Sequence, residues 1–218
     1  MSALLLVPVL ALLASPEANE PRFVLLKLAA LGLLILLNAF FVAGEFALVK
    51  VRTSQLEALA EKGDRRAAKA RRMVEDLESY LSTAQLGITL SSLGLGWLGS
   101  PFLAQLLQPL FAAAGLPDGW PSHTLAFVLA FSSLVLLHII LGELVPKSLA
   151  IRHAVTVVLW FSRPLRWFHK TLRPAVWFLR AASDWILRTI LKTEPASTQE
   201  TQPSDEELRV ILEESETT

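Results

Sequence analysis

Three long apolar stretches frame this chain, and the polar residues inside them are few enough to be taken one by one. From Phe23 to Val49 only Lys27 near the start, Asn38 in the middle and Glu45 towards the end interrupt the run. A helix needs roughly 20 apolar residues to cross a bilayer, so this stretch predicts a first spanning helix. A second, roughly Leu81 to Ala114, is rich in hydroxyls and glycine between Ser82 and Ser100, which suits close packing against other helices. Gln85, Thr89, Ser92 and Gly96 follow a helical spacing and share one face, and Gly96 with Ser100 extends it as a pair of small residues. The same hydroxyls could equally bond back to carbonyls of their own helix. Pro101 and Pro109 predict a break or bend further on. The third stretch, from about Leu125 to Leu141, is polar only at Ser132, Ser133 and His138 and delivers Gly142-Glu143-Leu144-Val145-Pro146-Lys147 to its end.

What lies between the stretches orients them. Lys50 to Arg72 carries eight Lys and Arg whereas the turn-rich loop Gly115 to Thr124, with Trp120 at the interface, carries none. The positive-inside rule then puts the first segment in the cytoplasm and the amino terminus outside. Leu56, Leu59, Ala67, Ala68 and Val74 alternate with those charges, predicting polar helices at the cytoplasmic surface. Residues 154 to 161 are apolar but too few to cross. After Arg163-Pro164, the residues Leu165, Phe168, Leu172, Val176, Leu179 and Ile186 recur on one helical face, with Arg166, Lys170, Arg173, Arg180 and Arg188 elsewhere. Trp160, Trp167, Trp177 and Trp185 accompany them. This predicts a helix lying in the interface against anionic headgroups rather than a fourth span, which would sink Arg173 and Arg180 deep in lipid.

The ends are read by composition. Residues 3–14 are apolar and lead into Ala14-Ser15-Pro16, like a signal peptide without its basic region. Thr193 to Pro203 is a polar linker, and Ser204-Asp205-Glu206-Glu207 opens a short acidic helix. The expected organisation is an outer or signal-like segment over 1–22, a three-span domain over 23–153 and juxtamembrane helices over 154–192. A linker and the start of a further cytoplasmic region follow over 193–218. The fold class is an all-α membrane protein of three spans plus a cytoplasmic juxtamembrane amphipathic helix.

Composition narrows the chemistry. The chain is 53% hydrophobic with no net charge and no cysteine, which removes disulfides, thiolate metal sites and thiol nucleophiles and favours Mg²⁺ or Na⁺ over zinc. The four histidines are scattered, and Glu45 and Glu143 lack a base or nucleophile partner, so an enzyme is not expected. Pro146 has no N–H, which deprives the Gly142 carbonyl of its usual helical donor next to the Glu143 carboxylate. That is half of a site for a hard cation. Equally, it is a proline kink whose Glu143 pairs with Lys147 four residues on. Asn38 and Glu45 share a face of the first helix. Their stripe, that of Gln85 to Ser92, and that of Gly142 with Glu143 can converge on one centre, where polar groups in membranes are tolerated. Glu45 either reaches the ion or neutralises Lys50 or Arg52. His138, one turn before Gly142, reads as a helix-packing hydrogen-bonder.

The strings LNAFFVAGEFALVKVR, YLSTAQLGITLSSLGLGWLG and GELVPKSLAI, in that order in separate spans, resemble the transmembrane domain of the CorC/CNNM family of Mg²⁺ transporters. The resemblance covers roughly residues 23–192. It implies a homodimer in the plasma membrane, amino terminus outside and carboxyl terminus cytoplasmic, that exports Mg²⁺ in exchange for Na⁺. It also implies a following pair of cytoplasmic CBS domains through which ATP acts; nucleic acid has no part. The implied ion site is Asn38, Gln85, Ser91, Ser92, Gly142 and Glu143, holding Mg²⁺ dehydrated or partly dehydrated, with Pro146 and Lys147 at the helix break where gating would occur. Ser100 stands where family members often carry a glutamate after GWLG, and the chain stops before the regulatory domains. The rival reading is a membrane anchor or ion sensor whose polar stripes only hold the helices together.

Overall fold

The computed structural model describes residues 21–115, 119–190 and 192, and these are helical almost throughout. Helices α1 (Pro21–Lys50), α2 (Thr53–Glu61), α3 (Arg65–Glu75) and α4 (Leu77–Ala113) follow in order. Helix α5 (Trp120–Leu137) then runs into a π-helical segment, His138–Leu144, and on into α6 (Val145–Arg152), after which comes α7 (Ala154–Thr189). Three stretches are long and apolar enough to cross a membrane: Arg22–Lys50, Leu77–Leu107 and His123–Arg152. The protein is therefore an all-helical membrane protein with three candidate spans, and α7 is not one of them. The signal-like run, the carboxyl-terminal linker and acidic helix, and residues 116–118 of the outer loop lie outside the described residues.

Helix α1 is the axis of the bundle, touching α4, the π segment and α6. Two apolar clusters are strung along it. The first joins Leu31 to Leu95, Leu98, Phe102 and Leu134. The second gathers Phe41, Ala47, Leu48 and Val51 with Leu56 of α2, Met73 of α3, Ala150 of α6 and Val157, Val158 and Leu165 of α7. Between the clusters lies Asn38, almost wholly buried. Small residues set the spacing: at Gly87 a Cβ would stand 2.5 Å from the Phe41 ring, so only glycine lets that ring lie against α4.

Of the break or bend expected at Pro101 and Pro109, the break does not occur: α4 runs through both to Ala113. A proline costs one helical hydrogen bond, and helices packed in a membrane keep the neighbouring turns. Pro164 likewise lies within α7, which begins at Ala154 rather than after that proline. Helices α2 and α3 form a surface hairpin. Gly63 makes the turn at φ 89°, and Asp64 caps α3 by accepting a bond from the Arg66 N–H at 2.7 Å. Its charged face is exposed, with Arg71 at 3.9 Å from Glu57 and 3.4 Å from Glu75, pairs that add little to stability.

Packing divides the chain after Arg173. In the first unit, the early turns of α7 are pinned to α1 by aromatic contacts: Phe161 against Phe40 with ring centroids 4.8 Å apart, and Phe168 against Phe41 at 5.0 Å. In the second unit Val176 is buried, whereas Leu179 and Ile186, expected on the same apolar face, are exposed together with Trp177 and Trp185. An interfacial helix keeps such a face for lipid.

Candidate ion site

The polar junction between the two apolar clusters is assembled from three helices. The Asn38 side chain, on α1, donates from Nδ2 to the Gly142 carbonyl at 2.9 Å. Ser92, on α4, donates from Oγ to Asn38 Oδ1 at 3.2 Å, and its oxygen lies 3.3 Å from His138 Nε2. A hydroxyl has one hydrogen, so with Ser92 donating to Asn38 it accepts from His138, which assigns the proton to Nε2. Gly142 lies ten residues, about 15 Å of helix, before the end of the third span. Asn38 lies twelve residues, about 18 Å, before the end of the first. The junction is thus well inside both candidate spans rather than at the end of the third, where the sequence pattern places Gly142.

Local sequence explains why Gly142 is here. The N–H of Val145 bonds to the carbonyl of Ile140, five residues back, and Pro146 has no N–H to offer Gly142. The Gly142 carbonyl therefore loses its helical donor, as the sequence predicts, but it is not left free: the Asn38 amide takes the donor's place. Absence of a side chain matters equally. A Cβ at 142 would meet His138 Cδ2 at 2.9 Å and Asn38 Nδ2 at 3.1 Å.

Of the six residues expected at an ion site, the structure brings together Asn38, Ser92 and Gly142. Ser91 is buried, but being adjacent to Ser92 it faces about 100° away around α4. Gln85 is exposed and lies about two turns from Ser92. Glu143 is exposed, and among the described residues it makes no ion pair. The expected alternative, a Glu143–Lys147 pair, is not formed: the Lys147 ammonium sits 4.4 Å from the centre of the Phe46 ring. Pro146, next to Lys147, is buried. Glu45 is half-buried on α1, and among the described residues it makes no ion pair with Lys50 or Arg52. His138 is the hydrogen-bonder expected, yet its partnership with Ser92 ties it to the junction itself. The π segment was not foreseeable beyond its two local causes, a missing N–H at 146 and a missing Cβ at 142.

The hydroxyls of α4 divide into two kinds. Ser82, Thr83 and Thr89 bond back to Glu78, Ser79 and Gln85 of their own helix at 2.8 to 2.9 Å, whereas Ser92 reaches other helices. Among the described residues no three histidines or carboxylates converge as metal ligands. What the junction offers is neutral oxygen: Asn38 Oδ1, Ser92 Oγ and the Gly142 carbonyl.

Comparison with known proteins places this arrangement. The chain matches the Cyclin M transmembrane N-terminal domain, CNNM, over residues 28–218. It is 46% identical over 189 residues to the UPF0053 protein YhdT of Bacillus subtilis, covering 87% of this chain and 41% of that protein. The UPF0053 protein YugS of the same organism is 41% identical over 191 residues, 88% of this chain and 44% of that protein. An uncharacterized Mycobacterium tuberculosis protein, Rv1841c, is 37% identical over 183 residues, 84% of this chain and 51% of that one. The chain thus spans about half or less of the length of the curated relatives it matches. With the match running through all three candidate spans and across both Asn38 and Gly142, the chain belongs to the CNNM transmembrane domain family.

Proposed function

We propose that this domain carries Mg²⁺ across the plasma membrane, in exchange for Na⁺, through the junction of Asn38, Ser92 and Gly142. The observation that carries the reading is the Asn38–Gly142 hydrogen bond, which holds a carbonyl and an amide oxygen together well inside the first and third candidate spans, where a proline has removed the helical donor. Rotating the Asn38 amide by half a turn withdraws its N–H from Gly142 and presents Oδ1 instead. Asn38 Oδ1 and the Gly142 carbonyl then face one point, while Ser92 Oγ accepts from Asn38 Nδ2 and holds the turned amide in place. Mg²⁺ prefers six oxygens and gives up its waters reluctantly, so two protein ligands would hold it largely hydrated. Its charge would be met by a carboxylate only if Glu143 is turned inward or covered. An exposed carboxylate within a span needs water or another protein surface, which supports a homodimer whose second copy covers this face. The amino terminus outside and the carboxyl terminus inside follow from the basic segment after α1; ATP would act only through domains beyond this chain.

A second reading has an observation of its own: the Gly142 carbonyl is satisfied by Asn38 without any ion, as in a junction that merely holds an anchor together. Flux separates the two. Liposomes containing the chain and a Mg²⁺ indicator should show saturable Mg²⁺ movement that depends on a Na⁺ gradient. Asn38→Ala should lower it by about tenfold or more, the effect of removing one ligand contact of a charged species. Titration calorimetry on the same proteins should show Mg²⁺ binding weakened in parallel. Wild-type flux and affinity in a folded Asn38→Ala protein would return the junction to a packing role.

A further inference from the structure

Away from the junction, a cavity of about 470 Å³ lined by basic residues opens where four helices end or begin. Lys50 is the last residue of α1, Arg52 immediately precedes α2, and Arg152 closes α6. His153, at φ −127° and ψ 42°, breaks the chain between α6 and α7. Its N–H bonds to Leu149 and its carbonyl accepts from Val157, so the next helix starts without a loop. Residues 154–156, whose backbone N–H groups open α7 and have no helical acceptor, line the same cavity. Helix α7 is 36 residues long with no acidic side chain in its first turn, so its positive end is uncompensated. No carboxylate lines the cavity. Among the described residues Lys50, Arg52 and Arg152 make no ion pair. Three full charges and a helix terminus of one sign, held around one space, call for an anion.

We propose that this cavity binds the phosphodiester headgroup of an anionic phospholipid. Depth selects the lipid over a soluble anion: Lys50 and Arg152 end the first and third candidate spans, so the cavity lies at the lipid–water boundary where headgroup phosphates lie. Trp160, exposed two turns along α7, suits the same level. A lipid held here would clamp the exit of the first span to the exit of the third, both of which carry the ion junction.

Native mass spectrometry of the chain in micelles containing phosphatidylglycerol and phosphatidylcholine tests this. Wild type should retain phosphatidylglycerol with about tenfold preference, from the attraction of several basic residues. Lys50→Gln/Arg52→Gln/Arg152→Gln should abolish the preference, and Lys62→Gln/Arg65→Gln/Lys170→Gln, exposed cations off the cavity, should keep it. Arg152→Gln alone, expected to lose several-fold, decides the matter if the triple variant does not fold. Equal preference in wild type and a folded cavity variant would overturn the proposal, as would equal loss in the control. Displacement by glycerol 1-phosphate without phosphatidylglycerol binding would assign the cavity to a soluble phosphate and reject the lipid.

Discussion

Helix α4 presents a hydroxyl to a histidine of another helix at two places, Thr83 and Ser92, and the two meetings are built differently. Thr83 is fully buried and donates to its own helix, at Ser79 O, 2.9 Å away. With its one hydrogen spent, it accepts from His169 Nδ1 at 2.8 Å, and Tyr80 stacks on that imidazole with ring centroids 4.3 Å apart. Ser92 makes no such return to its helix. Its two contacts, at 3.2 and 3.3 Å, are with Asn38 and His138 on other helices and are long for hydroxyl hydrogen bonds. The first is a closed clasp in which the hydroxyl is saturated, its hydrogen on its own helix and its oxygen on the imidazole. The second is an open junction whose oxygens depend on one another across three helices, and only such a junction can exchange a hydrogen bond for an ion.

The contrast is broken most directly at Asn38. Asn38→Leu keeps the bulk but leaves the buried Gly142 carbonyl without a donor and Ser92 without its acceptor. The expected loss of stability is about 3 kcal/mol, the upper end for stranding a buried polar group, read by reversible unfolding in mixed micelles. A loss no larger than that of Thr83→Val would mean that the two sites are alike. Gly142→Ala comes next. Its Cβ would press on His138 and Asn38 together, and overpacking of this kind costs about 2 kcal/mol. Gly96→Ala, where nothing lies within 4 Å of the added carbon, should change stability by less than about 0.5 kcal/mol. Thr83→Val should cost only about 0.6 kcal/mol, typical of a side-chain hydrogen bond between membrane helices.

The sequence made one side of this contrast easier to read than the other. The spans, the surface hairpin and the amphipathic pattern of α7 follow from apolar length and from the placement of Lys and Arg, properties that act residue by residue. Asn38 stood out for the same reason, as a lone amide in a lipid-length apolar run. Gly142 was legible through Pro146, because a missing N–H is a local fact. Its acceptance of a bond from Asn38 was not, since that depends on how the π segment turns the carbonyl towards α1. Ser91 and Ser92 could not be separated by pattern, because adjacent positions differ only in the angle that packing gives them. Glu143 was legible by its chemistry, which suits a cation, but pattern alone does not show that within one chain its face of the helix is exposed. Thr83 and His169, 86 residues apart, carried no sequence signal at all.

The smallest effect sharpens the closed side of the comparison. Burial at His169 pushes its pKa below the ordinary 6.5, the nearby Asp76 carboxylate works against that shift, and Arg173 adds to it. Tyr80 stacks on the ring, and Thr83 can accept from Nδ1–H whether or not the other nitrogen is protonated. Protonation therefore does not break the clasp; it places a charge on a partly buried ring. Because the folded pKa lies below the unfolded one, the unfolded chain holds more protons as pH falls through the window beneath 6.5. Stability conferred by the neutral imidazole is complete above about pH 6.5 and is lost as pH falls towards the folded value. Unfolding of the wild type in micelles should show this decline, and His169→Gln should flatten it while Asn38→Leu, which acts on the open junction, leaves its slope unchanged. A decline that persists in His169→Gln would place the titrating group elsewhere and remove the imidazole from the account of the clasp.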